Sequence, residues 1–356
     1  MSEELNKLRV RIDAIDAQLL KRLNQRAEVA QRIGHLKSGV AYKPEREAEV
    51  LRRVMEKNPG PLSDETAAYL FREIMSACLA LEKPVQVAHL GPPGTFSEAA
   101  AIKHFGHAAE VVSCASFDDV IRRAESGAVG FAVVPVENST EGAIGKSLDL
   151  MLQTPLHVCG EVMLRIHHHL LANSAAVDFM SIKRVYSHPQ SLAQCHLWLA
   201  ANLPHAERVP ASSNAEAARL AQIEPDTAAI AGEAAAGRYG LARVAQNIED
   251  EPSNTTRFLV LGNLQAEATG KDKTSLAMSA KNQPGAIHEL LAPLAAHGVS
   301  MTRLESRPSR TANWEYYFFV DIEGHRNDPP VAQALREIEA KALHLKVMGS
   351  YPVAAF

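Results

Sequence analysis

Cysteine is scarce in this chain. Cys78, Cys114, Cys159 and Cys195 are the four in 356 residues, far apart and with no C-x-x-C pair. That argues against a zinc ribbon and a disulfide framework and fits a reducing compartment. Long apolar runs are missing as well: none reaches the ~18 residues a membrane span needs. The polar, charged stretch from Ser2 onward has no signal-peptide character. A cytoplasmic protein is the expectation. Neither sign of charge dominates: 37 Lys and Arg against 41 Asp and Glu leave a net charge of −4. This makes no electrostatic case for nucleic acid or an anionic membrane, so any cationic chemistry has to be local.

What is present divides into three blocks. The length suggests two or three domains, and 46% hydrophobic with 22% charged residues is ordinary for a globular chain. Residues 1–83 contain no plausible strand. Leu5, Leu8, Ile12, Ile15, Leu19 and Ile33 mark one helical stripe, and no proline precedes Pro44. A helix from Leu5 to Ser38 would be about 50 Å long. Gly39 would end it, Pro44 would open a second helix to Lys57, and Ser63 would cap a third to about Leu81. Such a long helix cannot bury its stripe alone and calls for a partner chain.

Residues 85–264 alternate short strands (VQVAHL, VGFAVVPV, IKRVYS, TAAIAG, RFLVLG) with helical stretches. The pattern predicts an α/β domain of two lobes with largely parallel sheet. Residues 273–351 read as βαββαβ, the split ferredoxin-like α+β arrangement.

Charges interrupt the helical stripes. Arg26 falls at the heptad step from Leu5, Ile12 and Leu19. Lys37 follows about 20° around the helix and roughly 16 Å along it, which leaves a gap suited to a small dicarboxylate. Arg9 lies about 25 Å from Arg26 along one helix, so it could join that site only from a second chain. On the third helix Phe71, Met75, Cys78 and Glu82 share a face, which puts a carboxylate on an apolar stripe.

In the α/β block, polar motifs stand at strand ends. GPPGTFSEAA (91–100) joins a strand to a helix, with Thr95 and Ser97 near exposed amides. It is neither G-x-G-x-x-G nor a Walker loop, so nucleotide binding is unsupported. VPVENSTEG (134–142), SHPQSLAQC (187–195) and NTTRF (254–258) complete the set. Alternation places Thr256 with Phe258 and Thr255 with Arg257. In IHHHLL, His167 and His169 share a face, but no carboxylate or cysteine at ligand spacing supports a metal.

LRVRIDAIDAQLLKRLNQRAEVAQRIGHLK, followed by KPERE and a closing helix ending in Glu82, resembles the all-helical chorismate mutase family. The resemblance implies a dimer in which Arg26 and a second copy's Arg9 clamp two carboxylates. Lys37 would donate to the ether oxygen beside Arg46, Glu47 would hold the ring hydroxyl, and Cys78 and Glu82 would complete the substrate site. Two positions depart from the family: some members carry glutamine at Glu82, and others aspartate at Lys43. A carboxylate donates only when protonated, which burial of Glu82 would favour.

The four motifs of the middle block resemble prephenate dehydratase. That resemblance makes Thr256 the catalytic threonine, with Phe258 packing the ring. Thr95, Ser97, Asn138, Ser139, Ser187 and Gln194 would bind substrate, and Arg257 would support the lobe from the opposite face. It also implies no metal and no cofactor. NQPGAIHELL and TRLESRP resemble the ACT regulatory module. Gly285 and Ala286 would offer amides to the carboxylate of phenylalanine, with Glu305, Ser306 and Arg307 on the following strand. Together the blocks resemble bifunctional chorismate mutase–prephenate dehydratases, homodimeric through the long helix and the ACT domain and inhibited by phenylalanine. The competing class is a non-enzymatic amino-acid sensor on a two-lobed binding protein. An intact NTTRF and the lack of a helix-turn-helix weigh against it. A chain with one live activity is the further alternative.

Overall fold

The computed structural model describes residues 2–36, 42–281, 283–309 and 316–355. They form two compact units: the chain up to Val85 together with Phe105–Glu110, and the remainder.

The first unit is helical. α1 (Ser2–Leu36) is followed by α2 (Pro44–Lys57) and α3 (Asp64–Ala80). Pro44 at the first helical position starts α2, and Ser63 caps α3 by accepting the Thr66 amide. Leu51 and Ala68 are buried where α2 meets α3. The stripe on α1 is not: Leu5, Leu8, Ile12, Ile15, Leu19 and Ile33 are 46–56% exposed in the single chain.

Apart from Phe105 and Glu110, counted above with the first unit, the second unit begins with a lobe built from β1 (Gln86–Leu90), α4 (Phe96–Phe105), β2 (Glu110–Cys114) and α5 (Phe117–Glu125). It continues through β3 (Phe131–Asn138), β4 (Gly142–Ala143), α6 (Gly145–Gln153) and β5 (His157–Arg165). The chain then crosses into a second lobe of β6 (His169–Ala172), β7 (Arg184–Ser187), α7 (Pro189–Gln194), α8 (His196–Asn202) and β8 (Glu207–Pro210). α9 (Asn214–Ile223), β9 (Thr227–Ala231), α10 (Glu233–Tyr239) and β10 (Ala242–Ala245) complete that lobe. β11 (Thr255–Gly262) returns to the first lobe and threads between β3 and β5, giving the order β2-β1-β3-β11-β5.

The expected largely parallel sheet is therefore corrected to two mixed ones. β1 and β3 are parallel, but β11 is antiparallel to both its neighbours because it enters from the other lobe. The second sheet, β10-β6-β9-β7-β8, is parallel only around β7.

The chain ends as β12 (Asp272–Ser279), α11 (Ala286–Ala296), β13 (Met301–Pro308), β14 (Tyr316–Glu323), α12 (Pro329–Lys341) and β15 (His344–Pro352). Its antiparallel sheet, β13-β14-β12-β15, has the βαββαβ connectivity read from sequence. This sheet shares a core with the first lobe: Ala277, Phe319, Met348 and Tyr351 join Leu148, Met151 and Val158 in one apolar cluster. At Gly349 the approach of β15 to β5 is so close that a Cβ would overlap the Val158 backbone. Lys346 Nζ donates to the carbonyls of Met151, Leu152 and Thr154 at 2.9, 3.0 and 2.6 Å. It thereby satisfies the open C-terminus of α6, where the helix dipole favours a cation.

Candidate active sites and their relatives

A cavity of about 720 Å³ opens in the second unit. The N-termini of α4 and α9 reach it with Thr95, Phe96, Ser97, Ser213, Asn214 and Glu216, and short α7 adds His188, Gln190, Ser191 and Gln194. Among the described residues lining it there is no lysine or arginine. Anion recognition here falls to hydroxyls, amides and helix dipoles.

At the end of β3, Asn138 Oδ1 accepts the backbone N–H groups of Thr140 and Glu141 at 3.1 and 3.2 Å. This fixes the amide, whose Nδ2 donates to Thr256 Oγ1 at 2.9 Å and Asn254 Oδ1 at 2.8 Å. Thr256 accepts from Asn138, so its own proton is left for another acceptor. Gln194 Nε2 donates to Thr140 and Glu141 (3.2 and 3.1 Å), and its Oε1 accepts from Asn254 at 3.1 Å. The 2.9 Å contact from His168 Nε2 to that same Oε1 thus puts the imidazole proton on Nε2. His168 Nδ1 is buried with no partner among the described residues, and burial depresses the ring's pKa.

The structure separates some residues that the motifs group together. Ser139 does not line the cavity; it is exposed and its hydroxyl accepts the Thr255 amide at 2.9 Å. Ser187 is fully buried, bonded to Ile230 O and Asn214 Oδ1, and holds the loop beneath the cavity. Phe258, two residues and about 7 Å into the strand from Thr256, is core and does not reach the wall. Phe96 is the lining aromatic instead, edge-on to His168 with centroids 5.6 Å apart. Thr95 lines the cavity and also caps α4, while Glu98 takes the Gly94 amide at 2.5 Å, so part of that loop's anion capacity is internally used. His168 and Asn214 escaped the motif reading, whereas His188 and Ser191 stand within SHPQSLAQC but were not singled out there. The capping box S-N-A-E at 213–216, seen as the Glu216 amide on Ser213 Oγ at 3.0 Å, marks where α9 starts, but only the fold brings that start to the cavity.

In the helical unit Arg9 is exposed and Arg26 half-buried on α1, while Lys37 lies outside the described residues. Arg46 turns outward to Glu49 at 2.5 Å. Glu47 turns inward, accepting from the buried Arg72 Nε at 3.2 Å, and burial raises its pKa. Arg72 carries no signal in the motif. Cys78 is buried. Glu82 corrects an expectation: it lies beyond the end of α3 and is exposed in the single chain, its carboxylate against Gly34 of α1 where a Cβ would not fit.

In the C-terminal module Gly285 caps α11 at φ 81°. A Cβ there meets no neighbour, so the glycine answers backbone strain rather than crowding. The Ala286 amide is not free, since it donates to Gln283 O at 3.2 Å. Glu305 and Arg307 share the half-buried face of β13 and Ser306 is exposed. Arg307 departs from the expected ligand set: it forks onto Asp149 of α6 at 3.0 and 3.2 Å.

Burial depresses the pKa of His89, His157, His168 and His169. The unfolded chain then binds more protons below about pH 6.5. Stability from these rings is complete above that pH and is lost as pH falls toward the depressed values. The melting temperature is expected to drop between pH 7.5 and 5.5, and less steeply in His168→Gln, whose amide donates without titrating. A flat melting temperature over that range would contradict the burial argument.

Three family models match in order: chorismate mutase type II at residues 8–83, prephenate dehydratase at 87–266 and ACT domain at 274–340. The bifunctional chorismate mutase/prephenate dehydratase of Neisseria gonorrhoeae is 53% identical over 99% of both chains. Among solved structures, the prephenate dehydratase of Arthrobacter aurescens in complex with L-phenylalanine has a TM-score of 0.70 at 35% identity. That match covers 75% of this chain and 90% of the other. A quorum-quenching acylase is similar at TM-score 0.69 and 29% identity, covering 76% of this chain and 98% of its own. Fold and cavity define the class: a two-lobed α/β dehydratase carrying a helical mutase unit and an ACT module. The chain belongs to the bifunctional chorismate mutase/prephenate dehydratase family.

Proposed function

We propose that the chain rearranges chorismate to prephenate in its helical unit, then dehydrates and decarboxylates prephenate to phenylpyruvate in the cavity around Thr256. The observation that carries the dehydratase half is the Asn138–Thr256 pair. Its donor direction is set by two backbone amides and leaves the threonine proton free. Prephenate takes up one proton and yields phenylpyruvate, carbon dioxide and water. Thr256 donates to the ring hydroxyl as its C–O bond breaks, while the electrons of the carboxylate bond restore the aromatic ring. A single donor suffices because aromatisation drives the loss.

The mutase step is pericyclic and needs no nucleophile. It needs a fixed conformer and positive charge at the breaking ether bond. Arg26 and a second copy's Arg9 fill the clamp role, and Lys37 serves the ether oxygen. The exposed apolar stripe of α1 supports a homodimer through that helix. Four free, buried cysteines agree with a cytoplasmic enzyme. Phenylalanine, the ligand of the Arthrobacter aurescens relative, is the inhibitor expected at the ACT module.

Assaying both steps on the purified chain tests the reading. Chorismate should disappear and prephenate should release carbon dioxide, which also separates this chain from the acylase of similar fold. Carbon dioxide release with chorismate left untouched would remove the mutase half.

A further inference from the structure

Strand alternation divides the work of two adjacent residue pairs. Thr256 stands opposite Asn138, and Arg257 opposite Glu137, in the register of β11 and β3. The first pair lines the cavity. The second points to the other face, where it meets the ACT sheet. Arg257 Nε donates to Glu161 at 3.0 Å, Nη1 to Asp321 at 2.5 Å and Nη2 to the Tyr351 hydroxyl at 2.9 Å. Ser275 ties Asp321 to Tyr351 at 2.5 and 2.7 Å. Lys273 donates to Glu161 at 2.9 Å, and Arg303 to Glu137 at 3.0 Å. Every strand of the ACT sheet thus places a side chain on this rung: Lys273 and Ser275 from β12, Arg303 from β13, Asp321 from β14 and Tyr351 from β15.

We infer that Arg257, with Glu137 opposite, is a positioning residue through which the ACT sheet sets how Thr256 and Asn138 meet the substrate. Neighbouring residues of a strand are about 3.4 Å apart, so the Arg257 backbone cannot shift without carrying Thr256. The guanidinium is almost wholly buried and held by three acceptors, which makes the clamp directional. A donor misplaced by about 1 Å can cost 10²-fold in rate, so a small displacement is enough to regulate turnover. Arg303 leaves Nη2 buried with no acceptor among the described residues. The Glu137 side is therefore the less satisfied, and an arrangement that offers that nitrogen a partner is favoured. The regulatory half of this inference rests on phenylalanine binding at the ACT module.

The test uses the full chain with Tyr351→Phe and Asp321→Asn, neither of which touches the cavity. Dehydratase kcat and KM, calorimetric phenylalanine affinity and phenylalanine inhibition are measured for each. KM for prephenate is expected to stay within about twofold and kcat to fall, about tenfold for Asp321→Asn. Phenylalanine should still bind, but its inhibition should weaken at least fivefold, the low end of ordinary site coupling. Arg257→Lys should recover part of the kcat lost in Arg257→Gln, because the charge returns without the fork. Folded Tyr351→Phe and Asp321→Asn chains with unchanged kcat and unchanged inhibition would overturn the inference. If Asp321→Asn does not fold, Tyr351→Phe decides alone. An unaltered chain that neither binds phenylalanine nor is inhibited by it sinks the regulatory half, and the kcat values then judge the positioning half.

Discussion

Thr256→Val is expected to lower dehydratase turnover by about 10²–10³-fold, roughly 3–4 kcal/mol of transition-state stabilisation, with mutase turnover unchanged. Valine keeps the shape and the β-branching that suit a strand, so β11 should form as before. What disappears is the hydroxyl whose proton was free to meet the leaving oxygen. Asn138 keeps its bond to Asn254 at 2.8 Å but loses an acceptor for its other N–H. A buried donor left unpaired costs about 1–3 kcal/mol, so a modest fall in melting temperature should accompany the loss of rate. Thr256→Ser restores the hydroxyl on a less constrained side chain and should recover part of the activity. Phenylpyruvate formation from prephenate reads the effect. Near-normal turnover in the valine variant would leave Thr256 as a strand-end residue with no part in the chemistry.

Arg9→Ala and Arg26→Ala should each abolish the mutase reaction, and mixing the two inactive proteins should restore it. Seventeen residues of one helix separate these side chains by about 25 Å, far beyond the span of a single substrate. A shared clamp must therefore take one arginine from each copy. After subunit exchange half of the dimers are mixed, and in a mixed dimer one of the two sites has both arginines. Recovery should approach about a quarter of the unaltered activity. Dehydratase turnover, read in the same samples, should be unaffected. Exchange demonstrated by mass or label, with no return of mutase activity, would exclude a cross-chain clamp.

The long first helix, its proline-opened successor and the Ser63 cap were legible because each depends on neighbours in sequence. So was the βαββαβ order of the C-terminal module, where turn residues separate segments of clear period. Strands at the second lobe's edge were harder. β8 and β10 are four residues each with exposed positions, too short to show a period. The site was legible in part. Asn138, Gln194 and Thr256 stand in recognisable motifs, whereas His168 lies in a histidine run that reads as a weak metal signal. Phe258 was assigned to the ring by alternation, which tells which face a side chain takes but not how deep in the core it lies.

By itself the sequence determined what local physical chemistry can determine: where helices start and stop, where strands alternate, and which polar residues interrupt apolar stripes. Those are near-neighbour effects of backbone propensity, capping and periodicity. Only the tertiary structure decided what long-range packing decides. It threaded β11 antiparallel between β3 and β5, which set Thr256 against Asn138. It left Ser139 exposed outside the cavity and Phe258 in the core beyond it, and brought His168 and Asn214 to the wall. It also ran Arg257 into Asp321 and Tyr351, 64 and 94 residues further along the chain. No local pattern encodes such a pair, because an arginine at a strand end reads the same whether it meets water or a buried carboxylate.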